Sequence, residues 1–366
     1  MRLDLVRRPQ PSSRMAVLSP LIAVALTVVT TFILFALSGV DPLKGLYVYF
    51  IEPLTEGWSR EELVVKATPL ILIAAGLAVG YLSNNWNIGA EGQFTIGAMA
   101  GSVLPIMLPE FQNVATLPAM LLMGAAGGAA YAMIPALLKT RFGTNEILTS
   151  LMLVYVAALF LDWTVRGVWR DPMAFGFPNT IGFSDAALIP FIGSDRLNAS
   201  AFVALAIVLA LAFVMARTLK GFEIRVLGES PRAGAFAGFS ARRMTIFAFA
   251  VSGALAGLAG IMEVASVIGK LQPVISPGYG FTAIIVAFLG RLNPIGILIA
   301  GFVIALSYLG GEAIQSSLQV SSRMAQVLQG MLLFFVLACD TLILYRIRLV
   351  WPQTRPATPP GPAIRA

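Results

Sequence analysis

Long apolar runs separated by short polar segments dominate the sequence. A transmembrane α-helix needs roughly 20 apolar residues, and the runs that approach this length are 16–37, 64–82, 94–108, 117–138, 147–165, 201–216, 244–268, 281–289, 295–309 and 324–345. The pattern predicts an all-α, polytopic membrane protein with about ten transmembrane helices. Because the run 281–289 is too short for a straight crossing, we expect a broken or re-entrant helix there.

The distribution of charged residues predicts the orientation of these spans. With the N-terminus in the cytoplasm, Lys139, Arg291 and the basic residues of 218–243 all lie on the cytoplasmic side. The acidic stretch IEPLTEGWSREE and the acidic residues of 166–198 then lie outside. Since basic residues are retained on the cytoplasmic side of membrane proteins, we interpret the net charge of +7 as topology and expect no nucleic-acid partner.

The segments outside the spans complete the predicted organisation. Residues 1–15 are a basic cytoplasmic tail, 16–345 a single transmembrane domain with a cytoplasmic loop at 218–243, and 346–366 a Pro-rich cytoplasmic tail. The first apolar run follows basic residues, as in a signal peptide, but it is too long for one. It is therefore interpreted as a spanning helix.

The residue inventory excludes several kinds of site. Charged residues make up 12% of the chain, against roughly 25% in a typical soluble domain. There is no histidine and one cysteine, Cys339, so Ser-His triads, imidazole metal sites, internal disulfides and cysteine zinc sites are excluded. The sequence also contains no G-x-x-x-x-G-K-[ST] phosphate loop. We therefore expect neither an enzyme nor a metal or cofactor bound by this chain.

A polar segment, YLSNNWNIGAEGQFTIG at 81–97, interrupts the apolar pattern. Its side chains Asn87, Glu91 and Gln93 cannot face lipid, because exposing them there would carry a desolvation penalty of several kcal/mol. The neighbouring glycines suit a broken helix whose polar groups line a cavity or are buried in protein. A capped turn between two helices accounts for the same residues. The sequence leaves both interpretations open.

Few other polar residues lie within or beside the apolar runs. Asn145 and Glu146 begin the fifth run, where an acid is stabilised by the helix dipole, and Glu263 lies near the outer end of the seventh. The candidates for lining a solute pathway, or for stabilising a broken helix beside it, are Asn87, Glu91, Gln93, Asn145 and Glu146.

Small residues recur at helical spacing within the runs. Four G-x-x-x-G pairs are present: Gly76/Gly80, Gly97/Gly101, Gly124/Gly128 and Gly253/Gly257. Such pairs let helix backbones approach closely in lipid. We interpret them as tight packing within one bundle rather than as a dimerisation face.

The cytoplasmic loop KGFEIRVLGESPRAGAFAGFSARRM contains a predicted short helix. Ser230 before Pro231 is a good helix start, with proline at the first helical position, and Gly238 would end the helix. Such a helix could dock into a groove of a partner protein, or the loop could be a plain surface linker.

Three stretches carry a resemblance to a known family: GLAVGYLSNNWNIGAEGQFTIGAMAGS, KTRFGTNEILTSLMLVYVA and GFEIRVLGESPRAGAFAGFSARRMTIFAFAVSGALAGLAGIMEV. They resemble inner-membrane permeases of ATP-binding-cassette (ABC) importers for simple sugars, branched-chain amino acids and nucleosides. NIGAEGQ and FGTNEILTSLML are most similar to the nucleoside-type permeases. The resemblance implies import of a small polar solute, a nucleoside, across the bacterial inner membrane, with a simple sugar such as ribose as the alternative.

The resemblance also implies partners. Residues 228–238 would form the coupling helix that inserts into an ABC ATPase subunit, on which ATP and Mg²⁺ would bind. Within that segment the implied contact residues are Gly228, Glu229, Ser230, Pro231, Arg232, Ala233, Ala235 and Gly238. A second permease subunit, identical or homologous, a substrate-binding protein or lipoprotein, and membrane lipid complete the expected assembly.

A different kind of transporter is the main rival. An ion-coupled secondary transporter would place carboxylates near the membrane midplane. Here the acidic residues lie mostly at the ends of the runs, which favours the ATP-driven permease.

Overall fold

Helices form the body of the chain. The computed structural model of the protein describes residues 2–7, 13–192, 196–319, 321 and 323–350. The α-helices are α1 (Ser13–Leu37), α2 (Pro42–Leu46), α3 (Glu52–Thr55), α4 (Gly57–Leu82), α5 (Ala90–Met107), α6 (Thr116–Phe142), α7 (Glu146–Arg166), α8 (Ser200–Arg217), α9 (Leu219–Glu229), α10 (Pro231–Phe236), α11 (Ala241–Glu263), α12 (Tyr279–Leu289), α13 (Pro294–Leu318) and α14 (Arg323–Leu344). Two π-helical turns at Tyr47–Ile51 and Val264–Ile268, and a 3-10 turn at Asp185–Ala187, complete the helical elements.

The predicted apolar runs all fall on helices, so the prediction of an all-helical membrane fold is confirmed for the body of the chain. Six of the described helices are long and apolar enough to cross a bilayer: α4, α6, α7, α8, α11 with its π turn, and α13. The count of about ten spans stays a prediction. The short elements α2 and α3 were not predicted, because the segment that contains them mixes acidic, aromatic and proline residues without a helical period.

Helix α4 is the centre of the bundle. Residues 70–80 are all buried, as expected of a helix that is apolar on every face. It packs against α11, α12 and α13. By contrast, α7 and α8 leave most of their apolar side chains exposed, so these helices form the periphery of the chain.

The short eighth run forms α12, as the sequence predicted. Its 11 residues rise about 17 Å, roughly half of a 30 Å hydrocarbon core. A tight turn follows, in which Arg291 and Leu292 both have a positive φ, of 57° and 55°. The Asn293 side chain then accepts a hydrogen bond from the Ile295 amide and caps α13. The two helices therefore form a hairpin with one short arm.

The two ends of the chain pair with each other. Strand β1 (Arg2–Arg7) runs antiparallel to β2 (Tyr345–Val350), in a register that joins Arg2 to Val350 and Arg7 to Tyr345. The sequence analysis predicts tails here, although RLDLVR and YRIRLV both alternate polar and apolar residues as strands do. The rest of the predicted tail at 351–366 lies outside the described residues. The backbone ladder belongs to a small compact unit with the described residues of 13–30 and 330–344.

Glycines bring α5, α6 and α11 into backbone contact. A Cβ placed on Gly128 would lie 2.7 Å from the Cα of Gly257, and one placed on Gly257 would lie 2.8 Å from the Cα of Gly128. A Cβ on Gly97 would overlap Gly257 in the same way. The G-x-x-x-G pairs thus serve packing within the bundle, as the sequence predicted.

This contact gives a test of the fold. Gly128→Val would insert a branched side chain between two backbones, and we expect a loss of stability on the order of 3 kcal/mol. Ala126→Val, on the exposed side of the same helix, is the matched control. The midpoint of thermal unfolding in detergent should fall for Gly128→Val only. Equal midpoints for the two variants would contradict this packing.

Candidate functional site

The polar segment between α4 and α5 turns back on itself. Residues 83–89, which we call the re-entrant segment, begin with a turn in which the amides of Ser83 and Asn85 donate to the Gly80 carbonyl, at 3.0 and 2.9 Å. Asn84 has a φ of 57°, a conformation that asparagine tolerates better than most residues. The chain therefore reverses at the end of α4 instead of leaving the bundle.

The re-entrant segment then runs back between the helices. The Asn87 amide donates to the Ser252 hydroxyl at 2.9 Å, and a Cβ on Gly76 would lie 3.1 Å from the Cα of Ser252. Gly76 precedes the last residue of α4 by six positions, a rise of about 9 Å. Asn87 and the start of α5 are therefore about two turns inside the bundle. The structure favours the broken-helix interpretation over a turn at the surface.

A pair of amides holds the re-entrant segment to α5. Asn87 donates to the Gln93 side-chain oxygen at 2.8 Å, and Gln93 donates back to Asn87 at 3.0 Å. The same Asn87 oxygen accepts the Gly89 amide at 3.0 Å. Asn87 is 1% and Gln93 2% exposed. These two predicted site residues thus satisfy each other in the protein interior.

Glu91 joins the N-termini of two helices. Its carboxylate accepts the Gly280 amide at 2.6 Å and a hydrogen bond from the Ser276 side chain. A Cβ on Gly280 would lie 2.5 Å from the Cα of Glu91, so α12 meets α5 backbone to backbone. A carboxylate stabilises the positive end of a helix dipole, and here one carboxylate lies beside two such ends.

An aromatic cluster lies at the end of α4, against the re-entrant segment. The Tyr81 ring lies 5.1 Å from that of Trp86 and 5.4 Å from that of Phe288, between centroids. The Tyr81 hydroxyl also donates to the Asn87 carbonyl at 3.0 Å. These contacts fix α4, the re-entrant segment and α12 relative to one another.

Glu146 belongs to an ion pair that joins the end of α6 to the start of α7. Lys139 donates to the Glu146 carboxylate at 2.6 Å and to the Asn85 side-chain oxygen at 3.1 Å. Thr245 donates to the same Asn85 oxygen at 2.8 Å. Asn145, which is exposed, caps α7 by accepting the amides of its first turn. The structure thus brings Asn87, Glu91 and Gln93 together and connects Glu146 to them through Lys139 and Asn85.

Sequence reasoning missed several partners of these residues, namely Lys139, Thr245, Ser252, Ser276 and Gly280. Thr245 and Ser252 are seven residues apart, so they share one face of α11, and both are buried. A search for polar residues at helical spacing inside apolar runs would have found them. Ser276 and Gly280 give no such signal, because their role depends on where α12 begins.

Glu263, the last residue of α11, is partly exposed. It lines a small cavity with Thr68 and Ser266. Nearby on α4, Lys66 pairs with Glu312 at 2.9 Å and with Glu62 at 3.6 Å. This ionic group lies at the opposite ends of the helices from the Lys139–Glu146 pair.

The predicted helix of the cytoplasmic loop is present. It is α10, which begins at Pro231, and Gly238 follows it with a φ of 81°. Its last residue, Phe236, is 95% exposed. Gly228 belongs instead to α9, where a Cβ would lie 2.9 Å from the Leu82 carbonyl carbon. The end of α9 is therefore packed on the end of α4.

A double-mutant cycle tests the amide pair. Asn87→Leu leaves the buried Gln93 amide without its partner, and Gln93→Leu removes one partner of Asn87, which keeps Ser252 and Gly89. Loss of a buried hydrogen-bond partner costs about 1–3 kcal/mol. The double variant removes both groups and should be more stable than the sum of the single losses predicts, with a coupling of about 0.5–3 kcal/mol. The thermal midpoints of the four proteins in detergent measure this coupling. Strictly additive losses would show that the two amides do not pair.

Comparisons with known proteins agree with this architecture. The family model described as "Branched-chain amino acid transport system / permease component" matches residues 59–337. The glucose ABC transporter permease protein TsgB13 of Haloferax volcanii is 36% identical, over 86% of this chain and 85% of its own length.

Two further relatives have nucleosides in their names. The nucleoside ABC transporter permease protein NupB of Lactococcus lactis subsp. cremoris is 27% identical, over 87% of this chain and 90% of its own. The guanosine ABC transporter permease protein NupP of Bacillus subtilis is 28% identical, over 91% and 95%. Because the family model covers most of the transmembrane region, including the re-entrant segment and α10, the chain belongs to the permease-component family of branched-chain amino acid transport systems.

Proposed function

We propose that the chain is the permease subunit of an ABC importer that carries a nucleoside across the cytoplasmic membrane. The observation that carries this proposal is the similarity, over about nine-tenths of the chain, to two permeases named for nucleoside and guanosine transport. The fold supports the permease part of the proposal, since a bundle of apolar helices encloses a buried polar segment. The motif NIGAEGQ lies in that segment and at the start of α5.

A simple sugar is the second candidate solute. The relative named for glucose transport has 36% identity to this chain, which is higher than that of the two nucleoside relatives. Nucleosides and sugars share a ring that carries hydroxyl groups, so the same kind of hydrogen-bonding groups would serve both.

The five candidate pathway residues hold the broken helix in the proposed mechanism. Asn87, Gln93 and Glu91 are engaged with protein groups, and Glu146 is engaged with Lys139, while Asn145 caps α7. Their role is to position the re-entrant segment beside the pathway. A solute would reach these groups only when the segment moves and the bonds exchange.

The proposed partner proteins bind the cytoplasmic and outer faces of the chain. Helix α10 would insert into the ATPase subunit, which binds ATP and Mg²⁺, and a second permease and a substrate-binding protein would complete the importer. Both termini would lie in the cytoplasm. The pairing of β1 with β2 supports a location of both ends on the same side of the membrane, and the positive-inside rule assigns that side to the cytoplasm.

Transport assays test the proposed solute. In vesicles that contain the complete importer and ATP, labelled guanosine or uridine should accumulate, and an excess of unlabelled nucleoside should abolish the uptake. Glucose and ribose in the same excess should have little effect. Uptake of glucose or ribose with no response to nucleosides would assign the chain to sugar import. The absence of ATP-dependent uptake for either class would contradict both candidates.

The exposed end of α10 provides a test of ATPase docking. Phe236→Asp places a charge on the last residue of α10, which is 95% exposed, and we expect the ATPase to be lost from the purified complex. A change at Gly228 would be less informative, because it would also disturb the packing of α9 on α4. The control is Thr218→Asp, which adds the same charge to the loop and keeps the cap of α9. Retention of the ATPase by both variants would contradict docking at α10.

A further inference from the structure

A second cavity lies at the cytoplasmic ends of the helices, beside α10 but outside the re-entrant segment. Its volume is about 260 Å³, and it lies between α9, the turn after α10 and the start of α11. We call it the basic pocket. Its lining includes Lys220, Glu223, Phe239, Ser240, Arg243 and Phe247.

The basic pocket has a net positive charge. Lys220 pairs with Glu223 at 2.6 Å, so these two charges balance. Arg243 is exposed, and no ion pair is found for it among the described residues. Its own amide donates to the Ser240 hydroxyl, which caps α11. The pocket therefore presents one uncompensated guanidinium and the lysine beside it.

The basic pocket lies at the level where the apolar part of the bundle begins. Directly beneath it, Met244 packs with Val79 and Met215 in a buried apolar cluster. Phe247 lines it and is 36% exposed, and Phe222, 56% exposed, packs edge-to-face on the lining residue Phe239 at 6.1 Å between centroids. Exposed apolar side chains next to polar groups mark surfaces that contact a membrane or another protein. The pocket thus combines basic side chains with an apolar, exposed edge.

We propose that the basic pocket binds the headgroup of an anionic phospholipid from the cytoplasmic leaflet. Arg243 and Lys220 contact the phosphate, and an acyl chain follows the exposed face of Phe247. Basic pockets between transmembrane helices on the cytoplasmic side bind anionic headgroups. A soluble anion would account for the charge but not for the exposed aromatic rim.

The location connects the lipid to the cytoplasmic loop. Gly238, in the turn that follows α10, also lines the pocket. A bound headgroup would therefore hold the turn between α10 and α11. The inference does not depend on which solute is carried. Its lipid-binding test uses the permease chain alone, and co-purification with the ATPase is a second measurement.

Lipid binding to the purified chain tests the proposal. Native mass spectrometry of the protein in detergent, titrated with phosphatidylglycerol or with phosphatidylcholine, should show preferential binding of phosphatidylglycerol. Arg243→Gln should weaken that binding about fivefold, since each basic residue near an anionic membrane contributes about 1 kcal/mol. Arg243→Lys should retain most of it. Arg242→Gln removes the same charge from the preceding residue, which does not line the pocket. This variant should bind phosphatidylglycerol like the unmodified chain.

Several results would overturn the proposal. Equal binding of the two lipids by the unmodified chain would show that no anionic headgroup is recognised. Equal losses for Arg242→Gln and Arg243→Gln would show attraction to the whole basic surface instead of to a pocket. Competition by inorganic phosphate with no lipid preference would indicate a site for a free anion. If Arg243→Gln instead released the ATPase and left lipid binding unchanged, the pocket would belong to the protein interface. Thermal midpoints of all variants should match, so that misfolding is not mistaken for lost binding.

Discussion

The structure depends on providing hydrogen-bond partners for backbone and side-chain amide groups that are buried inside an apolar bundle. Residues 83–89 leave a helix and re-enter the bundle without regular secondary structure, and in lipid each unpaired polar group would cost several kcal/mol. The Asn87–Gln93 pair, the Ser252 hydroxyl and the Tyr81 hydroxyl supply the missing partners. Gln93, Ser252 and Tyr81 come from three helices that pack around the segment, so the polar segment and the helix packing depend on each other.

Close packing of helices at glycine positions allows these hydrogen bonds to form. Gly76 lets α11 approach α4 at the level of Ser252, and Gly280 lets the N-terminus of α12 reach the backbone of α5 beside Glu91. With side chains at these positions the donors would stand too far from the re-entrant segment to bond with it. Glycine usually destabilises a helix, but here it allows the close helix contacts on which the hydrogen bonds of the polar site depend.

The sequence predicts the fold of this chain better than its site. Helix positions follow from apolar runs, and the start of α10 follows from Ser230-Pro231, because both signals are local. The polar segment was recognised from Asn87, Glu91 and Gln93, yet a surface turn and a broken helix remained equally possible. The choice between these two interpretations depends on the contact of Asn87 with Ser252, which is 165 positions away. No local pattern specifies that contact. The pairing of β1 with β2 is missing from the prediction for the same reason.

The contacts where α9 meets the end of α4 show how movement of the 218–243 loop would reach the buried site. Gly228 rests on the Leu82 carbonyl, and the re-entrant segment begins at the next residue. A shift of α9 therefore cannot leave that turn in place, because the contact is between backbones and no flexible side chain absorbs it. Asn85 is also held by Lys139 and Thr245, so displacement of the turn would strain bonds to α6 and α11 together. In a tightly packed bundle such a strain is relieved by switching between discrete packings rather than by gradual deformation, which is the behaviour that alternating access requires.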